Sequence, residues 1–120
     1  MNTIKLSLSR KSSLVELGEG ESTRKLELRE MTAADRDKYL EDLSRRVRID
    51  GSGKPAGVKD FNGMQAALLT RCLYEGDKQV PMSEIQEWPA GTVTQLFQEA
   101  QKLNHLNQEE VVKDTEAKKE

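Results

Sequence analysis

The chain holds one cysteine, Cys72. No disulfide can therefore close within it, and its cysteine usage does not point to an oxidising compartment. It also holds one histidine, His105. With no second histidine and no cysteine nearby in sequence, a metal site there would need unusual carboxylate ligands. Aromatic residues make up only 4%, so a core has to be assembled mainly from Leu, Val, Ile and Met. No apolar run is long enough to cross a bilayer. The first segment, MNTIKLSLSRKSSLVEL, alternates and is broken by Arg10 and Lys11, so it lacks the continuous apolar stretch of a signal peptide. An excess of one charge is missing too. Lys and Arg number 19, Asp and Glu 21, and the formal net charge is -2. That balance argues against affinity drawn from a strong nucleic-acid field. These absences together predict a soluble cytoplasmic protein.

What is present is a polar chain of 120 residues, 35% hydrophobic and 33% charged, with a mean hydropathy of -0.76. The length is that of one domain with room for a modest core. The apolar share is below the globular norm, so much of the chain is expected as solvated surface or frayed end. A core this small predicts a stability of only about 5 kcal/mol unless a partner or self-association adds to it.

The hydrophobic pattern divides the chain into a strand-like segment 1–31, a helical domain 32–107 and a charged, flexible tail 108–120. Ile4, Leu6 and Leu8 alternate with Thr3, Lys5 and Ser7, as on a strand. Leu14-Val15-Glu16-Leu17 and Arg24-Lys25-Leu26-Glu27-Leu28 read as the arms of a β-hairpin, turned by Gly18-Glu19-Gly20-Glu21. Thr32 suits a helix N-cap, with Asp35 favouring the positive helix end. The helix is expected over residues 33–49, with Tyr39, Leu40, Leu43 and Val47 as its apolar stripe. Residues 51–57, with three glycines and Pro55, predict a flexible loop.

A second helix is expected from residue 60 or 61 to 74, with Phe61, Met64, Leu68 and Cys72 on a broad apolar face and Gly76 just past its end. Ser83 and Gln86 have capping-box spacing for a short third helix. Trp88-Pro89 stops it, and Pro89 opens a fourth. In that helix Val93, Leu96, Phe97, Ala100 and Leu103 make an apolar stripe, and Asn107 is expected to cap the charged tail. The pattern therefore predicts a mainly α, in effect all-α, fold of three to four helices with an N-terminal β-hairpin.

No catalytic, cofactor or metal site is expected. His105 suits a helix C-terminus, where a cation is favoured. Cys72 lies on an apolar face and has no partner base in sequence, so it reads as a buried structural thiol. Gly51-Ser52-Gly53-Lys54 lacks the spacing of a phosphate-binding loop and follows a helix rather than a strand. Pro55 removes a backbone donor where an anion nest would need one. Arg45, Arg46 and Arg48 allow a competing reading, a small helical DNA-associated regulator. They are interspersed with acids, however, and lack stacking aromatics. The residues best suited to protein contact are Phe61, Met64, Leu68, Met82, Ile85, Trp88, Val93 and Phe97, apolar or adaptable side chains on the later helices.

The order of these features resembles the tail assembly chaperones of long-tailed, siphovirus-type bacteriophages. The resemblance is carried by Arg29-Glu30-Met31-Thr32-Ala33-Ala34-Asp35-Arg36 at the strand-to-helix junction. It continues through Ala66-Ala67-Leu68-Leu69-Thr70-Arg71-Cys72-Leu73 before Glu75-Gly76-Asp77, and through Met82-Ser83-Glu84-Ile85-Gln86-Glu87-Trp88-Pro89. Its last element is the helix ending Leu103-Asn104-His105-Leu106. It spans roughly residues 14 to 112, and the loop 50–57 departs from the family pattern. The resemblance implies a non-enzymatic protein that binds the tape measure protein, keeps it soluble and helps recruit major tail protein. It further implies self-association into a ring or spiral, and a frameshifted longer form of the same chain, for which Lys118-Lys119 would suit an A-rich slip site. It implies no nucleic-acid or membrane partner, residence in the cytoplasm of the infected host, and absence from the mature virion.

Overall fold

The structure, a computed structural model, describes residues 2–106. The tail 108–120 and the Asn107 cap expected before it lie outside the described residues. The hairpin forms as the alternation predicts. β1 (Ser12–Leu17) pairs antiparallel with β2 (Arg24–Arg29), Val15 facing Leu26 and Leu17 facing Arg24. Gly18 makes the turn with φ +115°, and a Cβ there would run into the Ser22 carbonyl oxygen. Residues 2–8, although alternating, form no strand.

α1 (Ala33–Arg46) starts where its sequence says it should: Thr32 Oγ1 accepts the Asp35 N–H at 3.2 Å. It ends three residues before the expected 49, because Val47–Ile49 becomes β3 and pairs antiparallel with β4 (Pro55–Val58). The segment expected as a flexible loop is thus largely a second hairpin. β-branched Val47 and Ile49 suit an extended backbone better than a helix. Asp50 Oδ1 accepts the N–H groups of Ser52 and Lys54 at 2.8 and 3.0 Å, which organises the turn.

α2 (Met64–Cys72) is shorter than expected at both ends. Its continuation, β5 (Leu73–Glu75), turns extended and pairs with β2, Leu28 facing Leu73 and Glu27 facing Tyr74. Gly76 is not a helix cap. With φ +63° it forms, with Asp77, the two-residue turn into β6 (Lys78–Gln79), which pairs with β5. α3 (Met82–Ile85) follows Pro81, and Ser83 lies inside it and caps nothing. α4 (Ala90–Leu103) opens after Pro89, as expected.

The expected mainly α, all-α fold is therefore overturned. Among the described residues the chain carries, beside four helices, a four-stranded antiparallel sheet, β1-β2-β5-β6, and the two-stranded β3-β4 sheet. The N-terminal hairpin is one half of the larger sheet and shares its core. Leu26, Leu28 and Leu73 come from the strands, and Leu68, Leu69, Cys72, Ile85, Leu96 and Ala100 from the helices. Once the middle of the chain supplies β5, the free edge of β2 is paired, which removes the main weakness of an isolated hairpin. Arg24 ties the sheet to α3. Its guanidinium grips Glu75 with two hydrogen bonds, at 2.7 and 3.0 Å, and also bonds Glu84. On the sheet's other face Tyr74 is buried under Arg29 and Arg10, whose guanidinium carbons lie 4.3 and 5.4 Å from its ring centre. Among the described residues, no helix is long and apolar enough to cross a membrane.

The end of α4 is closed by a Schellman pattern. Leu106 N–H donates to the Gln101 carbonyl at 2.7 Å, and His105 N–H to that of Lys102 at 3.3 Å. His105 sits in the left-handed position, φ +54°, where glycine is usual. A side chain there is strained by roughly 1 kcal/mol. His105→Gly is therefore expected to raise stability by about 0.5–1 kcal/mol, read as a higher urea midpoint at unchanged slope.

Candidate protein-contact surface

The residues predicted to make contacts divide between two grooves and the core once the helices pack. Phe61, Met64, Trp88 and Val93 line one groove of about 420 Å³, with Ile85 at its floor and Gln86 at its rim. The loop before α2, the end of α3 and the start of α4 frame it. Phe61 is 68% exposed, a large apolar side chain left in water at the edge of the groove. Gly63 lets the backbone pass beneath Met82: its φ is +74°, and a Cβ would collide with the Met82 methyl.

A second groove, of about 250 Å³, lies between α1, the β3–β4 hairpin and α4, and is lined by Tyr39, Leu43, Val47, Met64, Phe97 and Leu106. Met64 lines both grooves, so the two apolar surfaces meet at its side chain. Leu68 belongs to neither. It is completely buried, as is Ile85 apart from the groove it floors, and Met82 is half-buried against the core. The helical spacing that singled out Leu68 marks an apolar face without saying which neighbour covers it.

Cys72 is fully buried, and burial pushes its thiol up to about 12. That keeps it protonated and inert at neutral pH. Burial likewise pushes the Tyr39 phenol up to about 12. His105 is exposed. Among the described residues no three His, Cys, Asp or Glu side chains gather where they could hold a metal ion. Two of the three arginines considered for DNA are already engaged. Arg45 pairs with Glu41 at 2.8 Å. Arg46 pairs with Asp42 at 2.8 Å and donates to the Asn62 carbonyl at 2.5 Å, pinning the loop before α2 to the end of α1.

Sequence reasoning passed over Asn104. Its side chain is buried and joins three elements: Oδ1 accepts the Met31 N–H at 2.8 Å, and Nδ2 donates to the Ala100 carbonyl at 2.8 Å with the Cys72 sulfur 3.5 Å away. The only signal in the sequence was the run Leu103-Asn104-His105-Leu106 at a helix end. Compared with protein-family models, with curated proteins and with solved structures, the chain matches none.

Proposed function

We propose that the protein is a tail assembly chaperone of a long-tailed bacteriophage. In this reading it does no chemistry. It holds apolar stretches of the tape measure protein in solution, helps recruit major tail protein, and acts in the host cytoplasm with a longer form of itself. The observation that carries the reading is the groove lined by Phe61, Met64, Trp88 and Val93, which meets the second groove at Met64. A client with many apolar segments calls for adaptable side chains, and Met and Trp provide them. The order of motifs over residues 14 to 112 supports the same reading. The competing DNA-associated regulator is less well supported, since Arg45 and Arg46 are occupied by acids of their own helix.

Co-expression with the tape measure protein encoded beside it is the direct test. The client is expected to become soluble and to co-purify. Phe61→Ser, at an exposed position, is expected to reduce the recovered client several-fold while the circular dichroism of the chaperone stays unchanged. A client equally soluble with and without this chain would sink the proposal.

A further inference from the structure

Four of the six large apolar side chains exposed among the described residues lie between residues 4 and 14: Ile4 at 83%, Leu6 at 88%, Leu8 at 104% and Leu14 at 87%. Three of them stand on an arm, residues 2–9, whose backbone makes a single local hydrogen bond, from the Ser9 N–H to Ser7 Oγ. The base of the arm, by contrast, is held firmly. Arg10 Nε donates to the Glu30 carbonyl at 2.6 Å. Lys11 N–H donates to Glu30 Oε1 at 3.1 Å, and Glu30 N–H donates to the Lys11 carbonyl at 2.8 Å. A strand-length segment with alternating apolar side chains thus projects from an anchored base with its backbone unpaired.

The matching acceptor is in the same chain. β1 is an edge strand: β2 pairs one side, and among the described residues no strand pairs the other. In the structure the arm does not lie along that edge of its own β1. Folding back antiparallel would require a tight turn at the junction, whereas Lys11 extends the strand, bonding Glu30 through both its N–H and its carbonyl. A second copy of the chain has no such restriction.

Charge sets the direction. Residues 2–11 carry Lys5, Arg10 and Lys11 and no acid, and residues 16–21 carry Glu16, Glu19 and Glu21 and no base. An arm laid antiparallel along β1 of another copy brings Lys5 to the Glu16–Glu21 end, whereas a parallel arm would bring it to Ser12 and Ser13. We infer that residues 3–9 of one copy add as an antiparallel strand to the outer edge of β1 in a second copy, making the arm a self-association element. Backbone hydrogen bonds supply the pairing and the alternate apolar side chains its register. This contact uses neither groove, so it stands or falls independently of client binding.

Light scattering across a dilution series of the full chain, with no client present, tests it. The wild type is expected to associate reversibly. Leu6→Pro, which removes a strand donor, and the triple change Ile4→Ser, Leu6→Ser and Leu8→Ser should each weaken association by about tenfold or more. Both variants change residues outside the core, so their folding is a built-in control. Lys5→Glu and Glu16→Lys should each weaken association, and the two together should restore it. Phe61→Ser should leave it unchanged. A wild type that stays monomeric at its highest soluble concentration, or association that survives the arm substitutions, overturns the inference. So does a double charge swap that fails to recover, or association abolished by Phe61→Ser, which would place the contact in the groove.

Discussion

Asn104→Ala is expected to lower stability by about 2–3 kcal/mol, and with it the melting temperature by roughly 10–20 °C. The substitution removes little volume, so the loss comes mainly from one polar group left without a partner. The Met31 N–H, buried where β2 leads into α1, would lose the Asn104 oxygen; the Ala100 carbonyl would lose the Nδ2 donor but keep the backbone N–H of residue 104 at 3.1 Å. An unsatisfied buried donor forfeits its hydration without compensation. Against a total of about 5 kcal/mol for a domain of this size, such a loss would leave about 2–3 kcal/mol and raise the unfolded fraction to roughly 1–3%. Urea unfolding is the measurement. A change below about 0.5 kcal/mol would mean that the side chain does not join these elements in solution.

Asn104→Asp separates the two bonds. The new carboxylate can still accept from Met31, but its second oxygen would face the Ala100 carbonyl and repel it. The protonated acid restores the donor. The folded state therefore holds that proton more tightly than the unfolded chain, and the carboxyl is raised in the fold. Stability of this variant is fully present below the unfolded value and is lost as pH rises through the folded one. A variant that is equally stable on both sides of that range would contradict the assigned geometry.

Leu68→Ala is expected to reduce stability by about 3 kcal/mol while leaving the affinity of the folded protein for a client unchanged. Leu68 is completely buried among the core residues of α2 and its neighbours, and truncation removes its packing and leaves a cavity that the surroundings only partly fill. Phe61→Ser is the opposite case. Phe61 is mostly exposed, so its replacement should change stability by no more than about 0.5 kcal/mol. If Leu68→Ala weakened client capture and spared the melting temperature, Leu68 would be a contact residue after all. Paired melting and capture measurements on the two variants therefore separate the core from the contact surface within one set of helices.

The difference between these two residues shows where reading the sequence stops. Both lie on the apolar side of the same predicted helix, at spacings that mark them alike. Packing then buries Leu68 completely in the core, while the loop before α2 leaves Phe61 mostly exposed. The short strands were hidden for a related reason. Nothing local distinguishes Leu73-Tyr74-Glu75 from one more helical turn. It becomes β5 because the edge of β2, some 45 residues earlier, offers it hydrogen-bond partners. Val47–Ile49 leaves the helix in the same way, to pair with Pro55–Val58. A non-local partner of this kind overrides helix propensity, which is worth only tenths of a kcal/mol per residue.

Local chemistry was sufficient wherever the deciding forces act over a few residues. The 14–28 hairpin follows from alternation and Gly18, the start of α1 from the Thr32 cap, and the start of α4 from Pro89. The inert character of Cys72 follows from its apolar surroundings. The four-stranded antiparallel sheet, the latch at Asn104 and the choice of exposed face belong to the tertiary structure alone. They rest on contacts between residues 32 to 73 positions apart, beyond any local window of the sequence.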